Sequence, residues 1–168
     1  MERNVTVLTK EDMEGEGFEE AFKLYINNRQ ADTLLAACPW FTDKFLELID
    51  FTIIKAILII IDSTPEEKTI RTLRKLRQLC GKYGTYLEIR QRPPNSAFMH
   101  LKLMIPIYRN DREEKLYARV AFTGSVNFTT SGIKYNDELL IITQDSQNLD
   151  QLMTKFDALW NSSKKINI

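Results

Sequence analysis

The run Ala56-Ile57-Leu58-Ile59-Ile60-Ile61 constrains this chain more than any other stretch. β-Branched side chains dominate it; they lose rotamer freedom in a helix and pack well on a pleated surface. Six residues is the length of a strand, too short for an independent helix, and an uninterrupted apolar run of that size suits a buried strand. Its surroundings agree. Leu34 to Cys38 is a second short apolar run, stopped by Pro39. Downstream, Pro65-Glu66-Glu67 opens a helix, because proline fits the first turn and carboxylates favour the positive end of the macrodipole. Along it Ile70, Leu73, Leu76 and Leu79 recur at spacings of three, with Arg71, Arg74, Lys75 and Gln78 mostly off that stripe. Gly81 and Gly84 are read as ending this helix near Cys80.

The rest of the chain follows the same alternation. Thr42 is an N-cap candidate for a short helix to Ile49. Strands are predicted over Tyr86–Arg90, Leu101–Ile107, Ala118–Thr123 and Glu138–Thr143, with a loop at Pro93-Pro94-Asn95-Ser96 and a polar hairpin tip between Tyr108 and Leu116. Leu149 to Leu159 reads as a closing amphipathic helix with Leu152, Phe156, Leu159 and Trp160 on one side. Asn4 to Leu8 suits an edge strand, and Glu11 to Asn27 a helix that tolerates Gly15 and Gly17 near its start. The predicted fold class is α/β: a mixed β-sheet flanked by α-helices on both faces. One domain is expected over residues 1–168, with residues 1–30 as an N-terminal extension of unassigned structure.

Composition excludes several other classes. Apolar residues make up 43% and charged residues 27%, with six Gly and five Pro, which fits neither a disordered nor a fibrous chain. The longest apolar stretch, Phe51 to Ile61, is interrupted by Lys55 and falls short of the ~20 residues of a membrane helix. Met1-Glu2-Arg3-Asn4 leads into an acidic segment without a secretory apolar core, so a cytoplasmic protein with no membrane partner is expected. Cys38 and Cys80 lie far apart with neither Cys-x-x-Cys spacing nor a nearby His; they read as core residues, not as metal ligands or a disulfide. The formal net charge is zero, yet residues 1–67 hold 14 acids against 6 bases and residues 68–119 hold 13 bases against 4 acids. A basic middle third can supply phosphate contacts, although a solvated helix face explains such a run equally well.

The single histidine, His100, precedes Lys102 by two positions in a strand-like run. In a strand, side chains i and i+2 leave the same face, so imidazole and ammonium would point together and hold a phosphate between them. Taken alone, the pair also suits a structural role. In Gly124-Ser125-Val126-Asn127 the glycine permits close backbone approach, and a hydroxyl and an amide two residues apart can converge on a ligand; a capped turn has the same sequence. Gly132 and Asn136 tolerate unusual backbone angles, and Glu138 offers a carboxylate able to orient an imidazole, or simply to face solvent.

In order, these residues run His100-Leu101-Lys102, then Gly124-Ser125-Val126-Asn127, then Gly132, Asn136 and Glu138. The pattern resembles the phospholipase D superfamily, whose motif reads His-x-Lys, Gly-Ser-x-Asn and Gly-x-x-x-Asn-x-Glu. The tight match covers about forty residues. One departure stands out: the family places an Asp five residues after the motif Lys, where this chain has Ile107. Asp111, in the hairpin extension, is the nearby carboxylate.

The resemblance implies a catalytic set of His100, Lys102, Asn127, Glu138 and Ser125. In the family the motif His attacks phosphorus to give a phosphohistidine, and a second His protonates the leaving oxygen and then activates water. Imidazole suits both tasks near neutral pH, but in-line attack puts nucleophile and leaving oxygen on opposite sides of phosphorus, so one ring cannot perform both. With one histidine per chain, the expectation is a homodimer whose two copies share a cleft, each giving His100, Lys102 and Asn127. The paired cations and amides would stabilise the phosphoryl oxygens, so no metal and no other cofactor is called for. Small single-motif members resemble dimeric endonucleases. Nucleic acid, DNA ahead of RNA, is therefore the expected substrate, with Arg90, Arg92 and Lys134 as nucleic-acid-binding candidates. The alternatives are a non-catalytic phospholipase D-like module for dimerisation or ligand sensing, and a phospholipid phosphodiesterase. Pro39-Trp40-Phe41 and Phe98 place aromatic rings where bases could stack, or where core packing or a dimer contact would use them.

Overall fold

A computed structural model describes residues 5–13 and 18–168. Among these, nine strands form one mixed sheet: β1 (Val5–Leu8), β2 (Thr33–Ala37), β3 (Ala56–Ile61), β4 (Tyr86–Gln91), β5 (Leu103–Asn110), β6 (Lys115–Ala118), β7 (Ala121–Gly124), β8 (Leu140–Thr143) and β9 (Lys164–Ile166). The spatial order is β1-β8-β7-β5-β2-β3-β4-β9, with β6 paired to β5. Four helices accompany it: α1 (Glu19–Lys23), α2 (Asp43–Glu47), α3 (Glu67–Tyr83) and α4 (Ser146–Asn161). β2, β3 and β4 are parallel and joined through α2 and α3, whereas β5, β7, β8 and β1 alternate antiparallel.

β3 spans the predicted six residues, and its uninterrupted apolar character follows from burial on both faces. Ile57, Ile59 and Ile61 pack with Leu34, Ala36 and Cys38 of the β2 segment under Phe22, Phe45, Leu73 and Leu76 of the first three helices. Ile60 packs on the opposite face with Leu35, Ala37, Leu103, Ile105 and Ile107 under Leu149 and Phe156 of α4. Each buried Leu, Ile or Phe side chain among these contributes about 1.5–3 kcal/mol relative to remaining in water. The helices therefore cover both faces, as expected.

Several boundaries differ from the sequence reading. α3 runs through Gly81 to Tyr83, and Gly84 alone ends it, at φ 72° with its N–H on Cys80 O. The predicted strand Ala118–Thr123 is two strands. Ile107 faces Ala118 but Met104 faces Phe122, so the returning chain holds one residue more than β5 between the two pairs. That extra residue is a bulge at Arg119–Val120, which bends the chain out of the hairpin and toward β8. β5 starts at Leu103 and β8 at Leu140, two residues later than predicted in each case. Residues 11–27 hold a 3₁₀ turn (Glu11–Met13), α1 and the start of a π turn (Leu24–Asn28); Gly15 and Gly17 lie outside the described residues. Nor is the N-terminal segment an appendage: β1 closes one edge of the sheet against β8, and Phe18, Phe22 and Ile26 are core residues. β9, which pairs antiparallel with β4, had no counterpart in the sequence reading. Among the described residues no helix is long and apolar enough to cross a membrane.

Candidate active site

β8, β7, β5 and β2 are consecutive neighbours with alternating direction, so the starts of β5 and β8 and the ends of β2 and β7 share one edge of the sheet. At ~4.8 Å between strands, the four ends fall within about 14 Å. His100 and Lys102 precede β5, Ser125 and Asn127 follow β7, Glu138 precedes β8, and Cys38 and Trp40 follow β2. Topology thus gathers residues that lie far apart in sequence.

Because β5 begins at Leu103, the strand alternation expected of His100 and Lys102 does not apply. His100 is exposed, whereas Lys102 is 4% exposed, and the Lys102 Nζ donates back to the His100 carbonyl at 2.8 Å. Its ammonium also lies 6.0 Å from the centroid of the Trp40 ring. Burial holds the Lys102 pKa below the ordinary lysine value, opposed by the nearby Cys38 and Glu138. An ammonium has three donors, so two remain for an anion once the His100 carbonyl is served.

The two glycines of the second motif permit contacts that any Cβ would block. At Gly124, with φ 120°, a Cβ would meet Leu139 O at 2.2 Å; at Gly132 it would meet Asn127 O at 2.4 Å. Gly124 thereby lets the Ser125 N–H bond Leu139 O at 3.0 Å, while the Ser125 hydroxyl accepts from Leu139 N at 3.0 Å and donates to Glu138 Oε2. Asn136 Nδ2 donates to the other Glu138 oxygen at 3.4 Å. Asn127 sits above an aromatic cluster in which Phe128 meets Phe22, Phe41 and Phe45 at centroid distances of 6.0, 5.6 and 5.8 Å.

Sequence reasoning missed two supports. The single Cys38 S–H is shared between Asn127 Oδ1 at 3.4 Å and Trp40 O at 3.3 Å, and among the described residues no hydrogen bond engages the Asn127 NH2. Burial pushes this thiol up to about 12, so it stays neutral. Asp62, 2% exposed just past β3, accepts the Met99 N–H at 2.9 Å and so fixes the loop that carries His100. A carboxylate immediately after the apolar run Ala56–Ile61 is the one sequence signal that could have pointed to it.

The imidazole of His100 lies against two other rings, Phe98 at 5.6 Å and Trp40 at 6.0 Å, with Trp40 and Phe98 5.7 Å apart. Among the described residues no hydrogen bond reaches either of its ring nitrogens; Glu138, expected there, is engaged by Ser125 and Asn136 instead.

The basic candidates divide. Arg90 is tied to Glu88 at 2.8 Å, to Trp160 O at 2.8 Å and over the Trp160 ring at 4.2 Å. Arg92 bonds Ser162 Oγ at 2.6 Å. Both guanidinium groups fasten the end of α4 to β4. Lys134 is exposed on the π turn Ser131–Tyr135, between Asn127 and Glu138 in sequence. Asp111 is 93% exposed at the hairpin tip beyond β5, nine residues or about 30 Å along the chain from Lys102, so it does not stand in for the carboxylate absent at Ile107. Ile107 itself is buried on the α4 face. Among the described residues no group of three His, Cys, Asp or Glu converges as a metal site. A hollow of 1120 Å³ between α4 and the β5–β6 hairpin is lined by none of the motif residues; its wall mixes apolar side chains such as Leu35, Leu58 and Trp160 with Ser146, Asp150 and Asp157.

Solved structures share this architecture. Nuc from Salmonella typhimurium, a phospholipase D family member, is 18% identical over 98% of each chain, with a TM-score of 0.66. NucT from Helicobacter pylori is 15% identical over 96% of this chain and 98% of its own, at 0.65. Yeast tyrosyl-DNA phosphodiesterase is 18% identical over 82% of this chain but 32% of its own, at 0.52. No curated protein sequence matches. A profile of the family described as cardiolipin synthase, PLD-like domain, matches residues 55–160. That match takes in more than half of the 168 residues and every motif position from His100 to Glu138, and the chain belongs to this phospholipase D-like family.

Proposed function

We propose that the protein is a metal-independent phosphodiesterase of the cytoplasm that cleaves internal nucleic-acid phosphodiester bonds, DNA ahead of RNA, through a phosphohistidine at a site shared by two copies of the chain. The observation that carries this reading is the convergence of His100, Lys102, Asn127, Ser125 and Glu138 at the ends of three adjacent strands, β5, β7 and β8. A ring nitrogen of His100 attacks phosphorus as the P–O bond to the leaving oxygen breaks, and that oxygen takes a proton from the second copy's imidazolium. The neutral imidazole so formed removes a proton from water, whose oxygen attacks phosphorus and breaks the P–N bond. Lys102 and Asn127 from both copies donate to the phosphoryl oxygens as charge develops. Glu138 accepts from the second ring nitrogen of an imidazole, since a carboxylate has about four lone-pair positions and two are in use here.

The likeness to Nuc and to a tyrosyl-DNA phosphodiesterase supports a nucleic-acid substrate. The family description, cardiolipin synthase, favours a second reading in which a phospholipid supplies the phosphodiester. Incubation with labelled DNA, RNA and phosphatidylcholine in excess EDTA, beside a His100→Ala control, separates them. Cleavage of nucleic acid that persists in EDTA and vanishes in the variant is the expected result. A requirement for magnesium, or cleavage by His100→Ala, would falsify the phosphohistidine mechanism, and a non-catalytic module would turn over none of the three.

A further inference from the structure

We infer that Phe98, backed by Trp40, is a stacking platform for an unpaired base next to the scissile phosphate, so the substrate is single-stranded or locally opened nucleic acid. The inference rests on the nucleolytic reading and adds the substrate's strandedness to it. Phe98 is 54% exposed, although a phenyl ring gains free energy by leaving water. It is nevertheless a placed ring. Its centroid lies 5.7 Å from that of Trp40 and 5.6 Å from that of His100, and with those two 6.0 Å apart the three rings form a triangle. Both contacts are tilted, at 46° and 38°, so neither neighbour lies flat over the phenyl face. Trp40 is itself half-buried, with His100 edge-on to it and the Lys102 ammonium 6.0 Å from its centroid, which makes it a fixed backing.

Whatever covers Phe98 must therefore lie beside the nucleophile. A phosphodiester held by Lys102 and attacked by His100 carries its own base one sugar away, and every base offers a π-face. In a duplex those bases are paired and stacked inside the helix while the phosphates lie outside, so a base reaches the platform only after unpairing. Lys102 then grips the backbone and Phe98 the base, a pairing of charge and stacking suited to single strands with little sequence preference.

The test compares wild type, Phe98→Ala and Phe98→Trp on a single-stranded oligonucleotide, its duplex, and the same strand with abasic residues flanking one phosphate, all in EDTA. Stacking of this kind is worth roughly 5- to 100-fold. Phe98→Ala is expected to lose about that much kcat/KM on the base-bearing strand, chiefly through KM, with less than about a twofold change at the abasic phosphate; Phe98→Trp keeps the wild-type rate, and the duplex is cut more slowly than the strand. Equal loss on base-bearing and abasic strands, no loss at all, or a dimer that dissociates in Phe98→Ala during sedimentation would overturn the platform. A wild type that cuts no nucleic acid defeats the nucleolytic reading itself, a distinct outcome that removes the platform with it.

Discussion

Replacing Gly132 by alanine puts a methyl group where the Asn127 backbone already is. The added Cβ would lie 2.4 Å from Asn127 O and 3.0 Å from Asn127 N, both main-chain atoms that no rotamer change can move away. Restoring even a 3.0 Å approach requires the Asn127 carbonyl to recede by about 0.6 Å, and Phe128, packed among Phe22, Phe41 and Phe45, resists that shift from below. Overpacking of this kind destabilises by about 1–3 kcal/mol, and at this chain length roughly 2–4 °C of Tm follows each kcal/mol. The displacement acts directly on Asn127, the residue proposed to hold a phosphoryl oxygen, and misplacement by ~1 Å lowers rates by about a hundredfold, so a loss on the order of tenfold or more in kcat/KM is expected. Differential scanning calorimetry and turnover of a chromogenic phosphodiester measure the two effects. Gly81→Ala is the control. Nothing lies within 4 Å of its added Cβ and it sits inside α3, so removing a helix glycine should stabilise by up to about 1 kcal/mol and leave turnover unchanged. A Gly132→Ala protein with wild-type Tm and kcat/KM would refute the argument that this glycine exists to let Asn127 approach.

Lys102, held below the ordinary lysine value by burial, loses its charge earlier than an exposed lysine on titration with base. The alkaline limb of kcat/KM should therefore fall below 10.5 and move upward in Lys102→Arg. Because the unfolded chain then binds the proton that the native one releases, the stability of wild type relative to Lys102→Met should rise with pH between the depressed native pKa and the unfolded value, by at most about 1.4 kcal/mol per pH unit; denaturant melts across that window check the sign. Cys38→Ala should lower kcat about fivefold by freeing the Asn127 amide, while Cys38→Ser, which keeps a donor, restores most of it; equal losses in both would mean that the thiol fills space only. Arg90→Ala should destabilise by about 1–3 kcal/mol with an unchanged salt dependence of substrate binding, since its contacts are internal. Lys134→Ala should leave Tm unchanged and reduce the magnitude of the log–log salt slope by about one.

The parts of this architecture that were legible in the sequence are those fixed by local pattern. β3 was readable because burial on both faces forbids a polar residue, and α3 because its apolar stripe faces one side. The motif residues were readable because their identities are set by chemistry. What required the fold was contact between distant segments. Cys38 looks like any core cysteine until β2 and β7 bring it beside Asn127. β9 is Lys-Lys-Ile, three residues that pair with β4 without an apolar pattern of their own. The bulge at Arg119–Val120 is a register shift that composition does not encode. Arg90 and Arg92 illustrate the limit of counting charge: the number of bases in residues 68–119 is silent about which of them already have partners. His100 and Lys102 illustrate the limit of periodicity, since alternation holds only inside a strand and theirs begins one residue after Lys102.

In the proposed mechanism two copies of the chain build one reaction centre, each supplying a His100. Co-refolding wild type with His100→Ala in equal amounts tests it without knowledge of the natural substrate's sequence. If catalysis needs both imidazoles, only wild-type pairs turn over, and activity falls with the square of the wild-type fraction, to about a quarter of that of an equal total amount of chain that is all wild type. If each chain works alone, the fall is linear and about half remains, a result that would rule out a shared site.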